Sequence, residues 1–308
     1  MTKRGASRGA VAFIGLGNMG LPMARRLIAD GYTVHGSDVS REAIATLQNG
    51  GGKGFGSPQA AVANTDIVVL MLPNSAIVRD VVFGEGGIAT AIKAGSLIID
   101  MGSSNPVETQ LLSTDLAKLG LALVDAPVSG GVKRAEDGTL AIMAGGNDAD
   151  IQRVLDLFLS MGRSVIPTGP VGSAHAAKAL NNYVSAAGLA AACEAAIVAR
   201  EFGIDPEVFV DVLNISTGRN NATEHKMKPF VLSGSFASGF SMALMAKDLG
   251  IAAKLASALN LEAEGIRATA NQWAAASKEL GLGADHTEIA RVLARPPDEN
   301  ALRTFHSI

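Results

Sequence analysis

Two patterns of apolar residues divide the chain. Up to about residue 170, short apolar runs recur: Val11–Ile14, Thr33–Ser37, Ile67–Leu72, Leu97–Asp100, Leu121–Val124, Leu140–Ala144 and Val165–Pro167. Most are β-branched and bounded by Gly, Pro, Asn or Asp, the composition of strands. Between them lie amphipathic segments. Several open on a residue whose side-chain oxygen can cap free helix N–H groups: Asn18 before Met19–Ala29, Ser40 before Arg41–Gln48 and Asp148 before Ala149–Leu159. Strand–helix alternation at this spacing predicts a parallel, doubly wound sheet. Past the Pro/Gly-rich turn Thr168–Gly172 the strand-like runs stop. Longer helical patterns follow at Ser173–Phe202, Pro206–Asn214, Ser241–Ala258, Glu262–Leu280 and Thr287–Ala294, punctuated by Gly203, Gly218, Gly250, Gly281 and Gly283. The expected architecture is therefore α/β. A flexible N-terminal segment (1–9) precedes a doubly wound domain (10–169), and an all-α domain (170–308) opens with a long connecting helix of about 173–202.

Composition narrows the function classes. Of 308 residues, 48 % are hydrophobic and 18 % charged, with a net charge of −3. Such a chain buries a sizeable core, because disorder needs low hydrophobicity with high net charge. Its balance disfavours a nucleic-acid partner, which calls for a basic surface, but permits a locally basic pocket. The single cysteine, Cys193, forms no intramolecular disulfide and fits a reducing compartment, here the cytoplasm. The apolar stretch Tyr183–Ala199 contains Ser185 and Glu194 and falls short of the ~20 residues that span a bilayer, so it reads as a core helix and no membrane partner is expected. His35, His175, His225, His286 and His306 show no metal-ligand spacing, and no metal is expected. His175 reads as a helix-surface residue, Trp273 as core or interface. The apolar faces of the C-terminal helices exceed what a small domain needs, so a homodimer or homotetramer is expected.

Gly15-Leu16-Gly17-Asn18-Met19-Gly20 is a G-x-G-x-x-G sequence between a strand and a helix. This is the context in which the motif carries meaning. Gly15 allows the tight turn, Gly17 the approach of a pyrophosphate, Gly20 close helix–strand packing. The helix start then offers free N–H groups to phosphates. The doubly wound domain is thus Rossmann-type. Asp38 lies 23 residues after Gly15, where an acid can accept the ribose hydroxyls of an adenosine. It would repel a 2′-phosphate, and Val39 follows it, so NAD is favoured over NADP. Arg41 can still pair a phosphate, and Asp38 can alternatively cap the next helix.

Lys178 and Asn182 lie four residues apart on the connecting helix and so share a face, which Ser185 continues. A buried Lys loses its charge more readily and becomes a usable general acid or base. A Lys with its head in solvent explains the spacing equally well. Ser216–Asn221 is a polar loop that reads as solvated, or as a specificity loop through Arg219 or Asn220. Phe240, Met242, Leu244 and Met245 fit a pocket lining or ordinary core.

Four ordered motifs carry a resemblance that covers nearly the whole chain after Gly9. They are the extended turn Gly15–Ala24, the segment Asp125-Ala126-Pro127-Val128-Ser129-Gly130-Gly131, the run from Gly169 through Lys178 to Asn182, and Lys247-Asp248-Leu249. Together they resemble the β-hydroxyacid dehydrogenase family, of the 3-hydroxyisobutyrate dehydrogenase and 2-hydroxy-3-oxopropionate reductase type. The resemblance implies hydride transfer between NAD and the hydroxyl or carbonyl of a small 3-hydroxy carboxylic acid. It implies Lys178 as general acid/base, and Asn182 and Asp248 among the substrate-binding residues. Ser129, with the N–H groups of Gly130 and Gly131, would hold the substrate carboxylate. Leu72, Pro73 and Ser103 would line the nicotinamide half of the cofactor, and Lys247 would close over it. Ala174 departs from the motif, which has Gly there. Reduction of another carbonyl or an imine on the same fold, and a non-catalytic dinucleotide sensor, are the alternatives.

Overall fold

The computed structural model describes residues 8–294. The expected segment 1–9 is therefore mostly outside the described residues, as is His306. Two compact units are present. One comprises the chain up to Leu180 with Lys254–Leu261, the other Asn181–Ala253 with the chain from Glu262 onward.

The first unit holds a nine-stranded sheet. Its strands are β1 (Ala10–Ile14), β2 (Thr33–Ser37), β3 (Lys53–Phe55), β4 (Ile67–Leu70), β5 (Leu97–Asp100), β6 (Ala122–Asp125), β7 (Val128–Ser129), β8 (Leu140–Gly145) and β9 (Gly162–Gly169). The order is β3-β2-β1-β4-β5-β6-β8-β7, with β9 on β8. Strands β1 to β6 pair in parallel, β8 runs antiparallel to β6 and β7, and β9 is parallel to β8. The order reverses between β1 and β4, the switch point at which open α/β sheets bind ligands beyond the strand C-termini.

Both faces of this sheet are buried, which explains the unbroken apolar runs. Val11 and Phe13 pack with Val69, Leu97, Ile99 and Val124 on one face, beneath Met23, Ala24 and Leu27 of the Gly20–Ala29 helix. Ala12 and Ile14 pack with Val68, Leu70, Ile98 and Leu123 on the other, beneath Val78 and Val82 of Ser75–Phe83 and Leu112 and Leu116 of Pro106–Ala117. Each of the Val, Leu, Ile, Phe and Met side chains among these stabilises the unit by about 1.5–3 kcal/mol through burial.

Three local expectations need correction. The first helix starts at Gly20 with Met19 at the cap position and no side-chain cap. Asn18 does not cap it: within the first turn Leu21 N donates to Gly17 O at 3.1 Å and Met23 N to Met19 O at 3.3 Å, and Pro22 carries no N–H. Asn147, not Asp148, caps the later helix by accepting the Ala149 N–H at 2.9 Å. That helix breaks at Val154 (φ −115°, ψ 12°) into Asp148–Arg153 and Leu155–Met161. Ser40 does cap Arg41–Asn49, accepting from Ala43 N.

The helical unit contains Pro206–Ile215, Met242–Ala258 as far as Ala253, Glu264–Leu280, Ile289–Leu293 and the later part of the connecting helix Ser173–Glu201. Asp205 caps Pro206–Ile215 by accepting from Glu207 N and Val208 N. The short helix Asn221–His225 and the π-helix Met227–Leu232 were not expected. Asn220 opens the first of them through a capping box with Thr223, so the polar loop ends one residue earlier than read. Thr287–Ala294 begins instead as a 3-10 turn at His286–Glu288. The core gathers around Trp273, fully buried, with Leu189, Cys193, Met227, Met242, Met245 and Leu249. The connecting helix is long and apolar enough to cross a membrane by length and composition alone.

Candidate active site

The glycine-rich turn follows β1. Gly15 has φ +96°, and a Cβ there would run into the Met71 carbonyl. A Cβ on Gly17 would meet nothing within 4 Å, and Gly17 and Asn18 are exposed. The turn therefore presents bare backbone at the switch point, followed by an uncapped helix start, as a pyrophosphate requires. Gly15 N donates to Ser37 O at 3.0 Å, and Leu16 N donates to Asp38 Oδ2 at 2.6 Å. Asp38 Oδ1 accepts from Ser40 N at 2.7 Å. Asp38 is thus locked to the turn rather than capping the first free N–H groups of the next helix, a role Ser40 fills. Val39 beside it is fully exposed.

Leu72 and Pro73 follow β4, and Ser103 follows β5, so both segments leave the same C-terminal edge as the turn. Within the sheet unit, the residues expected to hold a nicotinamide dinucleotide therefore share one edge of the sheet, whereas Lys247 lies on the Met242–Ala258 helix of the other unit.

Asp125 closes β6, and its segment does two things at once. Buried completely, the carboxylate accepts from Gly172 N at 2.7 Å and His175 N at 2.9 Å. This caps the connecting helix from 50 residues away. Burial pushes the Asp125 carboxyl above its ordinary range, while His175 and these N–H donors pull it back. Three residues on, the Val128 carbonyl accepts from Lys178 Nζ at 2.8 Å. Lys178 is half-buried, so its head does not simply extend into solvent. Ser129 comes next, then Gly130 (φ +133°) and Gly131 (φ +70°), whose left-handed backbone requires glycine. Gly131 begins the short helix Gly131–Asp137. Ala174 lies within the first turn of the connecting helix and is buried, so an L residue fits where the motif has Gly.

His175 lies in the interior and not on the helix surface. It is buried, with Nε2 at 3.8 Å from Asp100 Oδ2 and Nδ1 at 3.8 Å from Asp125 Oδ2. Thr109 Oγ1 lies within hydrogen-bond distance of both Asn105 O, at 3.0 Å, and His175 Nδ1, at 2.9 Å. Asp100 in turn accepts from Gly102 N at 3.0 Å and Ser104 Oγ at 2.6 Å. Sequence spacing had no signal for this cluster, because its acids come from two distant strand ends. A cavity of about 460 Å³ beside it is lined by Asp100, Ser104 and Thr109, together with Ser75 and Arg79. None of the expected site residues lines it.

In the helical unit, Asn182 lies one helical turn beyond Lys178 on the same helix. Its Nδ2 donates to Asp248 Oδ2 at 2.7 Å, and its Oδ1 accepts from Asn181 Nδ2 at 3.2 Å. Asp248 is buried, and its Oδ1 pairs with Lys247 Nζ at 3.4 Å. Its oxygens are therefore turned to Asn182 and Lys247. Trp273 is core, stacked on His286 at 6.4 Å. Phe240 meets His286 edge-on, and Met242 and Met245 are core. Among the described residues no three His, Cys, Asp or Glu side chains gather to hold a metal.

Comparison with known proteins gives the family. Residues 10–169 match the family model described as the NAD binding domain of 6-phosphogluconate dehydrogenase. Residues 172–293 match that described as NAD-binding of NADP-dependent 3-hydroxyisobutyrate dehydrogenase. The chain is 37 % identical over 273 residues to 2-(hydroxymethyl)glutarate dehydrogenase of Eubacterium barkeri, covering 89 % of this chain and 90 % of that one. It is 36 % identical over 253 residues to human mitochondrial 3-hydroxyisobutyrate dehydrogenase, covering 80 % and 75 %. The solved structure of Mycobacterium tuberculosis 3-hydroxyisobutyrate dehydrogenase with L-serine superposes with a TM-score of 0.87 at 31 % identity, covering 93 % and 99 %. The chain belongs to the 3-hydroxyisobutyrate dehydrogenase family and is an NAD(P)-dependent oxidoreductase of small hydroxy acids.

Proposed function

We propose that the chain interconverts a small 3-hydroxy carboxylic acid and its carbonyl form, with NAD as the preferred cofactor and Lys178 as general acid/base. The observation that carries this reading is the Lys178 Nζ–Val128 O hydrogen bond. It holds the amine beside Ser129, Gly130 and Gly131, whose hydroxyl and consecutive N–H groups suit a carboxylate. The Gly15–Gly20 turn and Asp38 would hold the pyrophosphate and adenosine ribose. Leu72, Pro73 and Ser103 would border the nicotinamide, and Lys247 would close over the cofactor. The nicotinamide supplies the hydride acceptor or donor when bound.

The chain's own residues then manage position and proton. Ser129 and the glycine N–H groups fix the carboxylate and so set the distance to the reacting carbon. In oxidation the neutral amine of Lys178 takes the hydroxyl proton on Nζ, and in reduction its ammonium returns a proton to the forming alkoxide. Asn182, its amide oriented by Asp248, donates to or accepts from the same oxygen.

Asp38 supports NAD, since its negative charge would repel a 2′-phosphate bound beside it and Val39 offers no cation. A single buried cysteine supports a cytoplasmic protein. An apolar stripe on Pro206–Ile215, exposed at Val208, Val212 and Ile215, supports a homodimer or homotetramer.

The test pairs wild type with Lys178→Ala. NADH and NADPH formation is followed with 3-hydroxyisobutyrate, 3-hydroxypropionate, glycerate, serine and threonate, and cofactor binding is measured by calorimetry. Turnover should fall at least ~100-fold with cofactor affinity kept. Retained turnover would remove Lys178 from the chemistry, and lost cofactor binding would give it a structural role.

A further inference from the structure

Lys226 stands apart from the other lysines near it. Lys228 pairs with Asp211 at 2.6 Å and Lys247 with Asp248 at 3.4 Å. Lys226 is half-buried, yet among the described residues no carboxylate oxygen lies within 4.0 Å of its Nζ. Its hydrogen bond goes to Ser185 Oγ at 3.3 Å. Asp285, an acid close enough to act on Lys226 through its charge, commits its oxygens elsewhere. They accept from Ser238 Oγ, Gly239 N, Phe240 N, Thr287 N and Thr287 Oγ1. Burial lowers the Lys226 ammonium below the ordinary lysine range, with Asp285 only opposing it. A desolvated cation held by one hydroxyl is expensive unless an anion completes it.

Its position says which anion. Ser185 follows Asn182 by three residues on the connecting helix, so the two side chains share a face and lie about 4.5 Å apart along the axis. The Lys226 ammonium therefore sits over the same helical face as the Asn182 amide, one step further along. We propose that Lys226 and Ser185 form a subsite for a second anionic group of the substrate, a few bonds from the group that meets Asn182. The natural substrate is then a hydroxy acid with two acidic groups. This rests on the reading of Asn182 as substrate-facing.

The full chain, Lys226→Met, Lys226→Gln and Lys226→Arg are compared, with folding checked by circular dichroism. Calorimetry in the presence of NAD uses glutarate, 3-sulfopropionate and butyrate. Kinetics use 2-(hydroxymethyl)glutarate against 3-hydroxyisobutyrate. Wild type should bind one of the two diacids at least about tenfold more tightly than butyrate. Met and Gln should remove most of that preference and Arg should retain it, and kcat/KM for the two-acid substrate should fall about tenfold more than for the one-acid substrate. Whether glutarate or the sulfonate binds better identifies the acid. Equal binding of butyrate and both diacids by wild type, or equal losses across all probes in the variants, overturns the subsite. Diacid preference without oxidation of any hydroxy acid would leave the subsite and sink the dehydrogenase reading. Oxidation of hydroxy acids without such preference would do the reverse.

Discussion

Both oxygens of Asp38 are taken by backbone N–H groups, from Leu16 in the phosphate-binding turn and from Ser40 at the next helix cap. A carboxylate has lone pairs to spare beyond these two, so ribose hydroxyls can join without breaking them. Asp38→Asn keeps the shape and removes the charge. The ratio of NADP to NAD kcat/KM should rise at least tenfold, read from initial rates with both cofactors, and an unchanged ratio would place the choice elsewhere, with Arg41 the next residue to change. His286 carries a different consequence. Burial lowers its imidazolium from 6.5 to about 4, so between those values the unfolded chain binds more protons than the folded one. Stability is complete above about pH 6.5 and is lost as pH falls toward 4, by about 3 kcal/mol. Urea unfolding followed by Trp273 fluorescence, stacked on this ring, should show that fall, and His286→Gln should flatten it.

At the level of elements, one strand end secures one helix start. Asp125 caps the connecting helix through Gly172 and His175, and Val128 receives Lys178 from the following turn of that helix. Asp125→Asn leaves one oxygen to serve two donors. It should lower stability by about 1–3 kcal/mol in denaturant titration and lower kcat more than it raises KM for the hydroxy acid, because Lys178 loses its register. An unchanged kcat would mean that the Val128 contact alone positions the amine. The same comparison shows what the chain's linear pattern makes legible. Strands buried on both faces, such as Leu97–Asp100, announce themselves as apolar runs, the Gly15 turn follows its strand and Lys178 falls early on the connecting helix, both as the pattern implies. β3 escaped because Gly50–Gly52 and Lys53 dilute its signal, and β7 because two residues carry no periodicity. The π-helix at Met227–Leu232 contains Pro229, which reads as a breaker. His175 and Lys226 escaped for another reason: their meaning depends on partners 50 and 41 residues away, a distance at which spacing is silent.

For the whole molecule, the helical unit combines a tightly filled interior with an uncovered edge. Val208, Val212 and Ile215 recur at i, i+4 and i+7 on Pro206–Ile215 and remain exposed, a stripe of the kind that marks association. Light scattering should give a multiple of the 31.5 kDa chain, and Val212→Glu with Ile215→Glu should shift it to the single-chain mass; a wild-type monomer would show that the stripe has another use. The interior has its own reporter. Cys193, the sole thiol, is buried against Met227 Sδ at 3.8 Å, and burial pushes it up to about 12. Only the thiolate attacks a disulfide or alkylating reagent, so the native protein should ignore such reagents at neutral pH. Each chain that does react has opened its helical unit. The rate of thiol labelling thus becomes a clock for that opening, and slowing of the clock by a bound diacid would measure how far ligand and interior are coupled.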